Sequence, residues 1–230
     1  MSISKTNKGK CYICKKEFTK SGIQRHLSIC NNLDNGKNKY FLLKVEDYYN
    51  KNYWLYLQVK ANITLDELDD FLRKIWLECC GHLSSFTIED VIYDKVCYYD
   101  SLFYCDNESM SEYKLEEILE KGMKFIHEYD FGSTTKLKIT VLDKYNGIDS
   151  LEEISLLARN NKQEYKCENC GENASYIITD YSYEDFKPSC NNCLENIYDD
   201  TDYDISIYIT NSPRMGVCGY SGDNDVYELE

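Results

Sequence analysis

The chain has 230 residues, 43% of them hydrophobic, 14% aromatic and 29% charged, which excludes collagen-like, mucin-like and fully disordered readings. At about one and a half times the usual domain length, it favours two or more modules over one large core. The formal charge of −14 is uneven: residues 1–39 hold nine basic side chains against Glu17 and Asp34, leaving +7 at the head and −21 on the rest. A basic arm on an acidic body is a pattern of interaction segments, and phosphate binding needs such a basic surface. No run approaches the roughly 18 apolar residues of a membrane-spanning helix, and Met1–Lys10 lacks the apolar core of a signal peptide. The expectation is a cytoplasmic protein with no membrane partner. Its twelve cysteines are then metal ligands or free thiols rather than disulfides.

Along the chain, residues 1–37 read as a basic zinc finger and linker. Cys11 and Cys14 form a C-x2-C pair, followed after eleven residues by His26 and after three more by Cys30. A knuckle offers two thiolates from one turn, and residues four apart on a helix share a face, so the four ligands can close a tetrahedron. Ser21 and Gln24 read as a capping box that starts the helix. Phe18, Ile23 and Leu27 are the apolar residues expected under the metal, too few to fold alone, so zinc would supply most of the folding free energy. Lys15, Lys16, Lys20, Gln24 and Arg25 are the candidate contacts to nucleic acid or to a protein partner.

The stretch from Cys11 to Cys30 resembles the C2HC fingers called UBZ. That resemblance implies a helix that binds ubiquitin or a ubiquitin-like protein.

Residues 38–148 switch between period two and period 3.6, which predicts an α+β domain. Phe41, Leu43 and Val45, then Leu55, Leu57 and Val59, alternate around the polar turn Asn50–Asn52 as a β-hairpin. Thr64 and Glu67 make a second capping box, and Leu65, Leu68, Phe71, Leu72, Ile75 and Trp76 line one helix face until Gly81. Ser85–Tyr93 reads as one or two strands, Asp106–Glu112 as an exposed loop, Tyr113–Glu120 as a short helix, and Met123–Tyr129 and Lys136–Leu142 as strands.

Two runs here, Ile75–Phe86 with its His82-Leu83-Ser84-Ser85-Phe86, and Met123–Thr135 with its Tyr129-Asp130-Phe131-Gly132, resemble the plasmid pRiA-type ORF-like family, often labelled as transposon-passenger TnpR proteins. The resemblance covers about 38–148. It implies an α+β domain with a history on mobile elements, and it does not imply a particular activity.

His82, His127, Glu128 and Asp130 could supply acid and base groups of a hydrolase or transferase, and Cys79 or Cys80 beside His82 a nucleophile. Against this, Cys79 and Cys80 end an amphipathic helix where thiols pack as small hydrophobes. No P-loop, G-x-G-x-x-G or G-x-S-x-G stands in the sequence, so no nucleotide cofactor is expected. A binding protein is favoured over an enzyme, and no catalytic residue is assigned.

Residues 149–163 are expected as a connecting helix, centred on Leu151–Arg159. Residues 164–230 read as a zinc ribbon and tail: Cys167 and Cys170 are answered, after nineteen intervening residues, by Cys190 and Cys193. Two knuckles so spaced form a four-thiolate structural site, which leaves no open position for substrate. Eleven acidic residues against Lys166 and Lys187 between 164 and 204 oppose nucleic-acid contact there. A strand-rich insert, Ala174–Tyr183, and a strand at Ile205, Ile207 and Ile209 complete the ribbon, and the glycine-containing tail 211–220 is expected to dock on a folded surface. The whole reads as an α+β adaptor with two structural zinc ions, Cys79, Cys80, Cys97, Cys105 and Cys218 remaining as thiols.

Overall fold

A computed structural model describes residues 8–30, 36–95, 107–147, 150–179, 186–197, 205–223, 225 and 227. Lys5, Cys97, Cys105 and residues 180–183 of the predicted insert lie outside these residues. The fold is α+β. Its main sheet is built from β1 (Lys8–Cys11), β2 (Glu17–Thr19), β3 (Asn38–Asp47), β4 (Trp54–Lys60), β5 (Ser84–Ile88), β6 (Val91–Asp94), β7 (Glu108–Ser109), β8 (Lys124–Tyr129), β9 (Thr135–Gly147) and β10 (Ile154–Asn160). Their order is β2-β1-β10-β4-β3-β9-β8-β5-β6-β7; every pairing is antiparallel except β6 with β7.

The predicted hairpin forms as β3 and β4, and both strands are buried on both faces. Phe41, Leu43, Val45, Leu55, Leu57 and Val59 join the larger core, together with Leu65, Leu68, Leu72 and Trp76. These last come from helix α2 (Leu65–Leu72), which Thr64 and Glu67 cap reciprocally as the sequence predicts, and from the π-helical turn Arg73–Leu77 that follows it. The residues of opposite parity, Leu42, Trp54 and Tyr56, enter a second core with Cys11, Ile23 and Leu27. Alternation along a strand sends neighbouring side chains to opposite faces, so the finger lies across the sheet from α2.

Three expectations need correction. The 149–163 segment is not a connecting helix, because its centre is β10, which pairs with β1 and β4. Its apolar residues do not alternate because a bulge between Leu156 and Ala158 puts Ile154 and Leu156 in one core and Leu157 and Ala158 in the other. Helix α1 (Lys20–Cys30) starts one residue before the expected cap, and it is Thr19, not Ser21, whose hydroxyl accepts the Gly22 N–H at 3.2 Å. The stretch read as an exposed loop contains β7 and the 3₁₀ turn Met110–Glu112, where Met110 is fully buried. The other expected helix and strands form as α3 (Leu115–Ile118), β5, β6, β8 and β9.

The ribbon is a separate sheet, β11 (Tyr176–Thr179), β12 (Lys187–Ser189) and β13 (Ile205–Tyr208), ordered β12-β11-β13. Helix α4 (Asn191–Ile197) follows Cys190. The tail beyond docks on the main body as expected. The Asn211 carbonyl accepts from Trp76 Nε1 at 3.0 Å and Arg159 Nη2 at 2.6 Å, the Ser212 hydroxyl donates to the Trp76 carbonyl, and Arg214 is fully buried.

Candidate metal centres

Three groups of Cys and His side chains converge so that, within each, the ligand atoms lie within 4.8 Å of one another: Cys11, Cys14, His26 and Cys30; Cys167, Cys170, Cys190 and Cys193; and Cys79, Cys80, His82 and Cys218. The sequence anticipated the first two and missed the third. Each group can hold a metal ion.

In the first, the knuckle closes with Lys15 N–H donating to the Cys11 carbonyl at 2.8 Å and Cys11 N–H to the Lys16 carbonyl at 2.9 Å. Lys15 adopts φ +61° to complete this turn. His26 Nε2 stands 3.2 Å from Cys14 Sγ, and its ring stacks on Phe18 with centroids 3.8 Å apart. The Lys16 backbone amide lowers the Cys14 thiol, whereas burial and the neighbouring thiols push Cys30 up to about 11. In the ribbon, Gly171 at φ +78° donates to the Cys167 carbonyl and closes its knuckle. Cys170 and Cys190 sulfurs are 3.6 Å apart. Burial opposes Cys167 ionisation, but backbone amides of Cys190, Cys170 and Asn169 bring it down to about 6; burial and the adjacent sulfurs push Cys193 up to about 12. Both sites share one logic: packed thiols cannot all ionise against each other, and a cation resolves that repulsion.

The third group sits where α2 and its π-helical turn give way to the chain before β5. Cys80 Sγ is 3.7 Å from Cys79 Sγ, 3.6 Å from Cys218 Sγ and 3.0 Å from His82 Nε2, which is 3.3 Å from Cys218 Sγ. The hydrogen bond to Cys218 heads the causes that push Cys80 up to about 12. Burial opposes Cys79 ionisation, yet hydrogen bonds from Arg214 and Tyr129 leave it below the ordinary thiol value. Cys79, Cys80 and His82 were visible as a tight Cys-Cys-x-His run. Cys218 lies too far along the chain for spacing to associate it with them.

The residues of the enzyme alternative do not meet as one site. His127 is fully buried with Nε2 2.6 Å from Asp69 Oδ1, Glu128 pairs with Lys136 at 3.0 Å, and His82 faces Cys80 and Cys218. Asp130 Oδ2 is 3.5 Å from His82 Nε2 but accepts the Arg214 Nη2 bond at 2.6 Å. Of the candidate contact residues, Lys15, Lys16, Gln24 and Arg25 are exposed, while Lys20 pairs with Glu46 at 2.8 Å.

Fold and clusters together define an α+β protein whose cysteine groups near both ends are compatible with small metal-binding modules. The chain belongs to the plasmid pRiA4b ORF-3-like protein family, whose profile matches residues 40–207. That span extends past the 38–148 expected from sequence, through β10 and both cysteine pairs of the ribbon, and begins after the finger. Among curated proteins none matches the chain. The crystal structure of a protein of unknown function from Methanosarcina mazei is similar at 16% identity and a TM-score of 0.43, covering 59% of this chain and 75% of that one. Among the described residues, no helix is long and apolar enough to cross a membrane.

Proposed function

We propose that this is a cytoplasmic zinc-binding adaptor, associated with mobile elements as the family's name suggests, that contacts nucleic acid through its basic finger. Zinc suits the donor sets: three thiolates with one imidazole in the finger, and four thiolates in the ribbon, supply four ligands each, the pattern of closed structural sites. The observation that carries the reading is the exposure of Lys15, Lys16 and Arg25 beside the first cluster, on the one basic stretch of an acidic chain. Ile23 and Leu27 of the finger are spent on the core shared with the sheet, which leaves this cationic rim facing outward.

A second reading, contact with a protein such as a ubiquitin-like fold, is favoured by Ile29, which is 79% exposed on the same helix as Arg25. Binding of short duplex and single-stranded nucleic acids across a salt series separates the two. The primary reading expects affinity that falls steeply with salt, and a loss of at least about tenfold at low salt when Lys15, Lys16 and Arg25 are all changed to Gln. Absence of nucleic-acid binding at low salt, or binding indifferent to that triple change, would reject it.

A further inference from the structure

Cys79, Cys80, His82 and Cys218 serve neither predicted zinc centre, and they draw together two parts of the chain that nothing in their spacing relates. We propose that they form a third metal site, for a thiophilic divalent cation of the zinc class, and that this ion fastens the C-terminal tail to the central sheet.

The donor geometry supports this. A tetrahedral ion with metal–sulfur bonds of about 2.3 Å and a metal–nitrogen bond of about 2.0 Å needs sulfur–sulfur edges of about 3.8 Å and sulfur–nitrogen edges of about 3.5 Å. Of the six edges, Cys79–Cys80 and Cys80–Cys218 at 3.7 and 3.6 Å match, those from His82 Nε2 to Cys80 and Cys218 at 3.0 and 3.3 Å fall somewhat short, and the two that join Cys79 to Cys218 and to His82 lie within 4.8 Å. The backbone is shaped to deliver the last ligand. Cys218 has φ +52°, between Gly216 at +81° and Gly219 at +67°, a conformation disfavoured for a residue with a Cβ and adopted where the turn brings this thiol to the other three.

A shell of donors surrounds the group. Cys79 Sγ is 3.5 Å from Arg214 Nη2 and 3.8 Å from the Tyr129 hydroxyl. Arg214 is fixed in turn by the Ser133 carbonyl, the Thr135 hydroxyl and Asp130 Oδ2. Three thiolates and a dication leave one negative charge, which a buried guanidinium beside them offsets. Arg214 Nη2 thus stands between two negative groups, Asp130 on one side and the cluster on the other, and attracts both.

A disulfide between Cys80 and Cys218 is the competing use of these thiols. Their sulfurs stand 3.6 Å apart, against about 2.05 Å for the bond.

The experiment uses the full chain purified anaerobically with zinc as the probe. Cys80→Ser and Cys218→Ser, both at exposed positions, should each lower the bound zinc by one equivalent per chain. Cys11→Ser and Cys167→Ser report the other two centres independently, so failure there leaves this site separately judged. On the unmodified chain, alkylation followed by peptide mass analysis should find Cys218 protected when zinc-loaded and labelled after chelation. The proposal is overturned if both serine variants retain the parent's zinc, if Cys218 alkylates equally in the two states, or if the anaerobic protein carries a Cys80–Cys218 disulfide.

Discussion

Asp69 is a carboxylate of the central domain on which three basic side chains, His127, Arg73 and Lys95, converge. Its side chain is fully buried, with Oδ1 2.6 Å from His127 Nε2 and Oδ2 2.6 Å from Arg73 Nε and 3.1 Å from Lys95 Nζ. Burial alone would raise its pKa. The His127 hydrogen bond and the charges of His127, Arg73 and Lys95 outweigh burial and hold the carboxyl well below the usual range. Near the ordinary aspartate value the unfolded chain therefore binds more protons than the folded one, and stability rises with pH there. Asp69's contribution is fully present above that value and is lost as pH falls toward the depressed native one. Asp69→Asn should cost about 1.5–3 kcal/mol at neutral pH, because it removes the charged acceptor that His127, Arg73 and Lys95 share, although Arg73 keeps Glu78 and Lys95 keeps Asp66 and Asp70. It should also flatten the acid limb of stability, as read by urea unfolding over roughly pH 3 to 7. An unchanged acid slope would remove Asp69 from that role. His127, a candidate acid or base by residue type, is explained by this buried hydrogen bond to Asp69.

At the level of elements, the junction between β1 and β10 decides whether the finger is an appendage or part of the sheet. Gly9 pairs with Asn160, and a Cβ there would stand 2.2 Å from the Arg159 carbonyl oxygen and 2.4 Å from the Trp54 ring. Gly9→Ala should therefore destabilise the chain by at least about 2 kcal/mol through overpacking. Hydrogen exchange would register it as lost protection in β1 and β10, with β8 and β9 unaffected; retained protection in β1 would show that the strand tolerates the methyl group. The Thr64–Glu67 cap was readable because its partners are three residues apart, with Glu67 Oε2 2.7 Å from Thr64 N and Thr64 Oγ1 accepting from Glu67 N at 3.3 Å. The strand character of β10 was not. A central strand apolar on both faces and interrupted by a bulge has no period of two to detect.

Over the whole molecule, two tryptophans report on two different attachments. Trp54 is buried in the core that includes Ile23 and Leu27 of the finger, whereas Trp76 donates to the Asn211 carbonyl of the tail. If metal holds the finger together, chelation should release α1 from the sheet and red-shift the fluorescence of a Trp76→Phe protein, in which Trp54 alone emits. Restoring zinc should reverse the shift. An unmoved emission maximum after complete metal removal would mean that Ile23 and Leu27 stay docked without an ion. The two cores share β3 and β4, so finger loss should leave the α2 side of the sheet in place, visible as retained far-UV circular dichroism.

Legible from residue order alone were features whose partners stand close along the chain: the Thr64–Glu67 cap, the hairpin and the C-x2-C knuckles of the two zinc-finger-like spacings. Local spacing is enough for these because a turn or a helical repeat brings residues two to four apart onto one side. The folded arrangement alone reveals that the finger's β1 and β2 extend the main sheet, that Asp69 claims His127, and that Cys218 joins Cys79, Cys80 and His82. Each of these depends on the order of strands or on the docking of the tail, which bring together residues dozens of positions apart and leave no periodic trace in the residues themselves.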